Sequence, residues 1–107
     1  AKELLSGLAA EGLVFDAVMT SDDALAVGAL KYAVSTGLSV PGQLSIVGYN
    51  NSLLARACEP ELTSVDTRIE ALCTTTVNTL MGVFNGGNVP SCTTIPAELI
   101  KRYTTEF

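Results

Sequence analysis

The sequence predicts an α/β fold, a parallel sheet with helices packed against it, and three observations carry that expectation. Short apolar runs of strand length alternate with longer stretches whose apolar residues recur at helical spacing. The links between them are short and punctuated by Gly12, Gly37 and Pro41-Gly42. The resulting order of helix, strand, helix, strand favours parallel pairing with right-handed crossovers.

In the opening stretch, Leu4, Leu5 and Leu8 share one helical face opposite Lys2, Glu3 and Glu11, and Gly12 stands where that helix should end. "LVFDAVMT" then sets Phe15, Ala17, Val18 and Met19 in a short run, as expected of a strand covered on both faces. The next helix is capped by Ser21 or Asp22, carries Leu25, Ala26, Ala29, Leu30 and Val34 at helical spacing, and stops at Gly37. A second strand runs from Leu44 to Val47. "SLLARACEPE" supplies one or two helical turns ended by Pro60, and "LTSVD" is a short extended piece. The clearest helix follows, with Ile69, Leu72, Cys73, Val77, Leu80, Met81 and Phe84 on its apolar spacing, Asp66 or Thr67 as cap and Gly86-Gly87 as stop. Its threonine run, Thr74 to Thr76, is poor helix material, so packing must hold it. Thr93 to Ile95 and Glu98 to Ile100 read as extended segments around Pro96, which suits an edge or a crossing.

Composition narrows the function. The 107 residues make one domain or one piece of one, and 48% hydrophobic residues with 16% charged describe a packed chain. A net charge of −5 with six scattered Lys and Arg does not suit wrapping a phosphate backbone, so any nucleic-acid contact is expected elsewhere. Three cysteines without a C-x-x-C pair, and no histidine, offer no zinc site and read as reduced thiols; no metal and no cofactor are expected. No apolar run approaches the ~20 residues of a membrane helix, and the opening is not a signal peptide, so no membrane contact and a cytoplasmic location are expected. Ala1 falls inside what reads as a helix, so the chain is expected to begin upstream.

In an open parallel sheet, ligands bind outside the carboxyl ends of the strands. The first strand ends at "TSDD" and the second at "GYNN", which brings Asp22 and Asn50 towards one crevice, where a carboxylate and an amide together read hydroxyl groups or a nucleoside edge. Helix capping is the competing role, because Asp, Ser and Asn are the favoured caps and "SDD" and "NNS" each precede a helix. Catalysis finds less support: no Ser-His or Cys-His pair is possible, no phosphate loop follows either strand, and Asp22-Asp23 reads better as cap and dipole partner than as acid and base. No catalytic residue is assigned.

These same stretches resemble the lactose repressor (LacI/GalR) family of bacterial transcription regulators over nearly the whole chain. "FDAVMTSDDALAVGALKYAVSTGLSVPGQLSIVGYNN" is similar to the family's strand, "NDxxAxG" helix and "GxxVPxDxSxxGxD" run, "PELTSVDTRIEALCTTTVNTLMGVFNGG" to its "PxLTTVxxPxxxxGxxAxxxLxxxI", and "IPAELIKRYTTEF" to its "xPxxLxxRxST" close. The resemblance implies a type I periplasmic-binding-protein-like, two-lobed α/β fold present here as its C-terminal portion. Residues 1–60 would be the βα units of one lobe, 61–67 a hinge crossing, 68–92 a helix associated with the other lobe, and 93–107 the return crossing and terminal strand. Carried over by position, Asp22 matches the first polar residue of the family's "ND" pair and Asn50 the aspartate of "GYD", both as departures. Thr67 falls at a hinge position that carries a polar contact, Ile69 where an apolar side chain lines the site, and Leu53, Leu54 and Cys58 on a dimer-facing segment, with core packing as their competing role. The function implied is that of a sensor for a sugar or nucleoside effector that controls the binding of operator DNA, through a segment absent from this chain, in a homodimer. An exported sugar-binding transport receptor of the same fold is the alternative.

Overall fold

The computed structural model describes all of residues 1–107. Four helices, α1 (Lys2–Ala10), α2 (Asp23–Thr36), α3 (Leu53–Ala57) and α4 (Ile69–Phe84), alternate with strands β1 (Ala17–Met19), β2 (Ser45–Tyr49), β3 (Thr63–Asp66) and β4 (Glu98–Ile100). The strands form one sheet in the order β1-β2-β3-β4. β1 with β2 and β2 with β3 are parallel, as alternation with helices requires, whereas β4 adds to β3 antiparallel, with Asp66 opposite Glu98.

The core lies between α2 and β2. Ala26, Ala29, Leu30 and Ala33 of α2 meet Leu44 and Ile46, and Tyr32 of α2, Leu5 of α1, Ala55 of α3 and Leu62 complete it. The small side chains let α2 approach the sheet closely. Gly48 repeats the device: a Cβ there would collide with Asp23 Oδ1 and Leu62 Cδ2.

Several expectations need correcting. β2 runs on to Tyr49 instead of stopping at Val47, because Gly48 and Tyr49 pair with Ser64 and Val65 of β3. β1 is an edge strand whose Ala17 and Met19 are exposed, so it is not covered on both faces. Val34 of α2 is 80% exposed and lies outside the core. Neither Asp66 nor Thr67 occupies the cap position of α4. Arg68 does, in left-handed conformation and without a side-chain cap bond, while Asp66 Oδ1 accepts from the Arg68 amide at 2.7 Å. Thr93 to Ile95 join no strand ladder; instead Pro90 to Thr93 and Ile95 lie beside α4, where with Leu72, Thr76 and Leu80 they line an open groove of about 370 Å³.

α4 stands apart from this body. None of its sixteen residues is buried, and Ile69, Val77 and Phe84 are more than half exposed. A compact chain of this length has a radius of gyration of about 13 Å. The observed 18.2 Å and the 59 × 26 × 20 Å extents reflect a helix carried outwards on two strands, β3 leading out and β4 leading back.

Beyond β4 the chain turns across the beginnings of β2 and β3. Tyr103 donates to Glu61 O at 3.0 Å and Ile46 to Thr104 O at 2.8 Å. The Thr104 hydroxyl donates to Ile46 O at 2.6 Å and accepts from the Thr63 amide at 2.9 Å. Both Thr104 and Thr105 are buried.

Candidate functional site

The register sets the geometry of the loop ends. Met19 pairs with Val47, so Asp22 and Asn50 each lie three residues past equivalent positions on adjacent parallel strands. Thr67 lies two residues past Val65, the partner of Tyr49 on the third strand. With ~4.8 Å between neighbouring strands, the three strand ends span ~10 Å. The Thr20 hydroxyl ties the first two together by donating to Asp22 O at 2.7 Å, 3.3 Å from Val47 O.

Asp22 is the N-cap of α2. Its Oδ1 accepts from the Leu25 amide at 2.7 Å, so the capping role is real. Its second oxygen has no hydrogen-bond partner within the chain. Asn50 is exposed with its backbone at φ 91°, its backbone N–H donates a hydrogen bond to Val65 O at 2.8 Å, and its side-chain amide is unengaged. Thr67 is half-buried with a free hydroxyl, and Ile69 is 60% exposed at the start of α4. Together Asp22, Asn50 and Thr67 offer acceptors and donors from three neighbouring strand ends.

The adjacent residues do different work. Asp23 is 1% exposed; its Oδ1 accepts from the Ser64 hydroxyl and its Oδ2 from the Ser52 amide, both at 2.6 Å. Ser64 Oγ in turn accepts from the Asn51 amide at 3.0 Å, so one buried carboxyl pins the start of α2 to β3 and to the loop after β2. Asn51 uses both ends of its side chain: Nδ2 donates to Asp66 Oδ2 at 3.0 Å and Oδ1 accepts from Arg102 Nη2 at 2.6 Å. The amide of Arg68, then the amide of Asn51, holds the Asp66 carboxyl below its ordinary range. In "NNS", then, Asn50 is presented, Asn51 is a tie, and Ser52 makes no side-chain cap bond. Sequence reasoning passed over Ser64 and Arg102 and took Asp23 only for a dipole partner at the helix start, whereas its carboxyl is a buried tie.

Leu53 and Leu54 are 81% and 45% exposed. Cys58 is not their equal, since it packs against the core and its thiol lies 3.4 Å from Pro60 O. Burial pushes that thiol up from its ordinary value. Of the three expected dimer contacts, the structure exposes two and turns the third inwards.

No helix is long and apolar enough to cross a membrane. The periplasmic binding protein-like domain family matches residues 3–105. An HTH-type transcriptional regulator of Lachnoclostridium phytofermentans is 51% identical over 99% of this chain and 32% of its own. A crystal structure of the lac repressor dimer bound to operator and the anti-inducer ONPF superposes with a TM-score of 0.86 at 30% identity, over 92% of this chain and 35% of the other. A periplasmic binding protein/LacI transcriptional regulator of Alkaliphilus metalliredigens, complexed with D-xylulofuranose, gives 0.77 at 29% identity over 87% and 35%. The chain thus spans about a third of the length of the proteins it matches.

Proposed function

The chain belongs to the LacI/GalR family of bacterial transcriptional regulators, within the periplasmic-binding-protein-like domain family, and from that premise we propose that it is the effector-sensing C-terminal part of such a regulator. The observation that carries the proposal is the convergence of Asp22, Asn50 and Thr67, each with an unengaged polar group, at three adjacent strand ends. A sugar or nucleoside lies against this wall, the opposing wall comes from a second lobe to which α4 belongs, and β3 and β4 are the crossings between lobes. Closure on the effector shifts the population between two arrangements and so changes the operator affinity of a DNA-binding segment outside this chain.

The protein acts as a cytoplasmic homodimer through the Leu53-Leu54 surface, without cofactor and without catalysis. The regulators among the matched proteins favour this reading over a transport receptor.

Calorimetry of the intact protein against D-xylose, D-galactose, D-glucose and adenosine tests it. At least one should bind, and Asn50→Ala should weaken that binding by up to about tenfold, the equivalent of a neutral hydrogen bond of ~0.5–1.5 kcal/mol. Binding that Asn50→Ala and Asp22→Ala leave unchanged would place the effector elsewhere, and a panel that is flat throughout would count against a sugar or nucleoside.

A further inference from the structure

Three non-glycine residues hold positive φ: Asn50 at 91°, Asn51 at 48° and Arg68 at 55°. Asparagine tolerates that region, whereas an arginine is held there only by its surroundings. One hydrogen-bonded cluster touches two of them, Asn51 and Arg68, and Asn50 adjoins it in the chain as the neighbour of Asn51. Arg102, with 10% of its side chain exposed, donates from Nη1 to Leu62 O at 2.7 Å and from Nη2 to Asn51 Oδ1 at 2.6 Å. The other end of the Asn51 amide donates to Asp66, whose second oxygen holds the Arg68 amide at 2.7 Å. Glu61, 3.7 Å from Nε and 44% exposed, adds little to this grip.

The chemistry explains why position 51 carries an amide. Its oxygen faces a guanidinium and its nitrogen a carboxylate, so a neutral group with one acceptor end and one donor end satisfies both. A carboxylate there would face Asp66 with like charge, and an apolar side chain would strand Arg102 and Asp66 together. The cluster joins three places distant in sequence: the loop after β2, the exit from β3 towards α4, and the chain just past β4.

We propose that Arg102 is the positioning residue of the crevice. By gripping Asn51 it fixes the left-handed turn that presents the Asn50 amide, and through Asn51 and Asp66 it fixes the left-handed Arg68 where the chain leaves for α4. The loop that meets the effector and the root of the outlying helix are therefore set by one side chain, and a shift in either is felt by the other. The link to the effector rests on the reading of Asn50 as a ligand contact. Lysine cannot replace Arg102, because it keeps the charge and the stem but lacks the planar fork that spans Leu62 O and Asn51 Oδ1.

Hydrogen exchange on the intact protein, followed by mass spectrometry, tests this. In Arg102→Lys, exchange in the segments holding the Asn50, Asn51 and Arg68 amides should speed up about tenfold or more, as expected for loss of a charge-assisted hydrogen bond. Residues 29–33 of α2 should change by less than about twofold, since a local opening leaves the core intact. Asn51→Asp keeps the Arg102 contact and sets a carboxylate against Asp66, so it should loosen the Arg68 segment more than the Asn50-Asn51 segment. Unchanged exchange in these segments, or equal acceleration throughout the chain, would overturn the proposal. The sugar panel separates the two readings: in Asn50→Ala, exchange around Arg68 should stay normal while affinity for the bound sugar falls. Unaltered sugar affinity there would remove Asn50 from the site and leave the hold of Arg102 on the loop to the exchange result.

Discussion

Asp23 offers the sharpest perturbation, because a single buried carboxyl joins three elements. Replacing it by alanine removes the acceptors of the Ser64 hydroxyl and the Ser52 amide, two bonds of 2.6 Å each. Hydrogen bonds to a charged group contribute ~1.5–3 kcal/mol apiece, and the two donors left in a buried site cannot recover water. Asp23→Ala should therefore lower the stability of this unit by about 3–5 kcal/mol. Asp23→Asn should cost about 1–3 kcal/mol, since its carbonyl still accepts from Ser52 while its NH2 turns on Ser64 Oγ and leaves the Ser64 proton unpartnered. Adding Ser64→Ala to Asp23→Ala should cost far less than Ser64→Ala alone, the signature of a shared bond. Urea unfolding followed by far-ultraviolet circular dichroism reads all four proteins; the chain has no tryptophan to report by fluorescence. A loss below ~1 kcal/mol for Asp23→Ala, or full additivity with Ser64→Ala, would refute the reasoning.

Three further outcomes follow. The Arg68 amide and then the Asn51 amide depress the Asp66 carboxyl below its ordinary value, so its contribution to stability is present above the unfolded value and disappears as pH falls through the lower folded one; carbon-detected titration should show Asn51→Ala moving the midpoint up towards the ordinary value, and an unmoved midpoint would deny the Asn51 bond. With iodoacetamide at neutral pH the exposed Cys73 and Cys92 should alkylate first and Cys58 last, since burial raises its thiol; mass mapping that finds Cys58 first would contradict its packing. Leu54→Arg should dissociate the intact protein into folded monomers in light scattering, and a folded dimer would move the interface off the Leu53-Leu54 surface.

The fold was legible wherever a local pattern was also a tertiary one. Alternation gave the parallel strands, and Gly12, Gly37 and Gly86 stand at positive φ just past helix ends, as expected of helix stops. The end of β2 was misread because Gly48 and Tyr49 look like loop residues, and what makes them strand is the partner β3, which sequence spacing does not display. The cap of α4 failed for a related reason: Asp66 does bind a backbone amide, yet the one it finds belongs to Arg68 in a left-handed turn held from a distance by Asn51. That Asp22 and Asn50 follow neighbouring parallel strands was readable, because alternation with helices implies that pairing. The buried ties were not, since Asp23 meets Ser64 across 41 residues and Asn51 meets Arg102 across 51, and no local periodicity marks such pairs.

The turn of the chain across the starts of β2 and β3 bears on the order in which the protein is made. Ile46 and Thr104 exchange bonds across 58 residues, and at ~5–20 residues per second a ribosome needs about 3–12 s to travel from one to the other. Through that interval the amide and carbonyl of Ile46, and once it is made the amide of Thr63, lack the partners that seal them in the finished molecule. An unsealed strand end beside an apolar core attracts other strands. The nascent sheet is thus most exposed to mispairing while α4 and its return are still emerging, and slow codons between those two positions would lengthen the exposure, while any truncation before Thr104 would make it permanent.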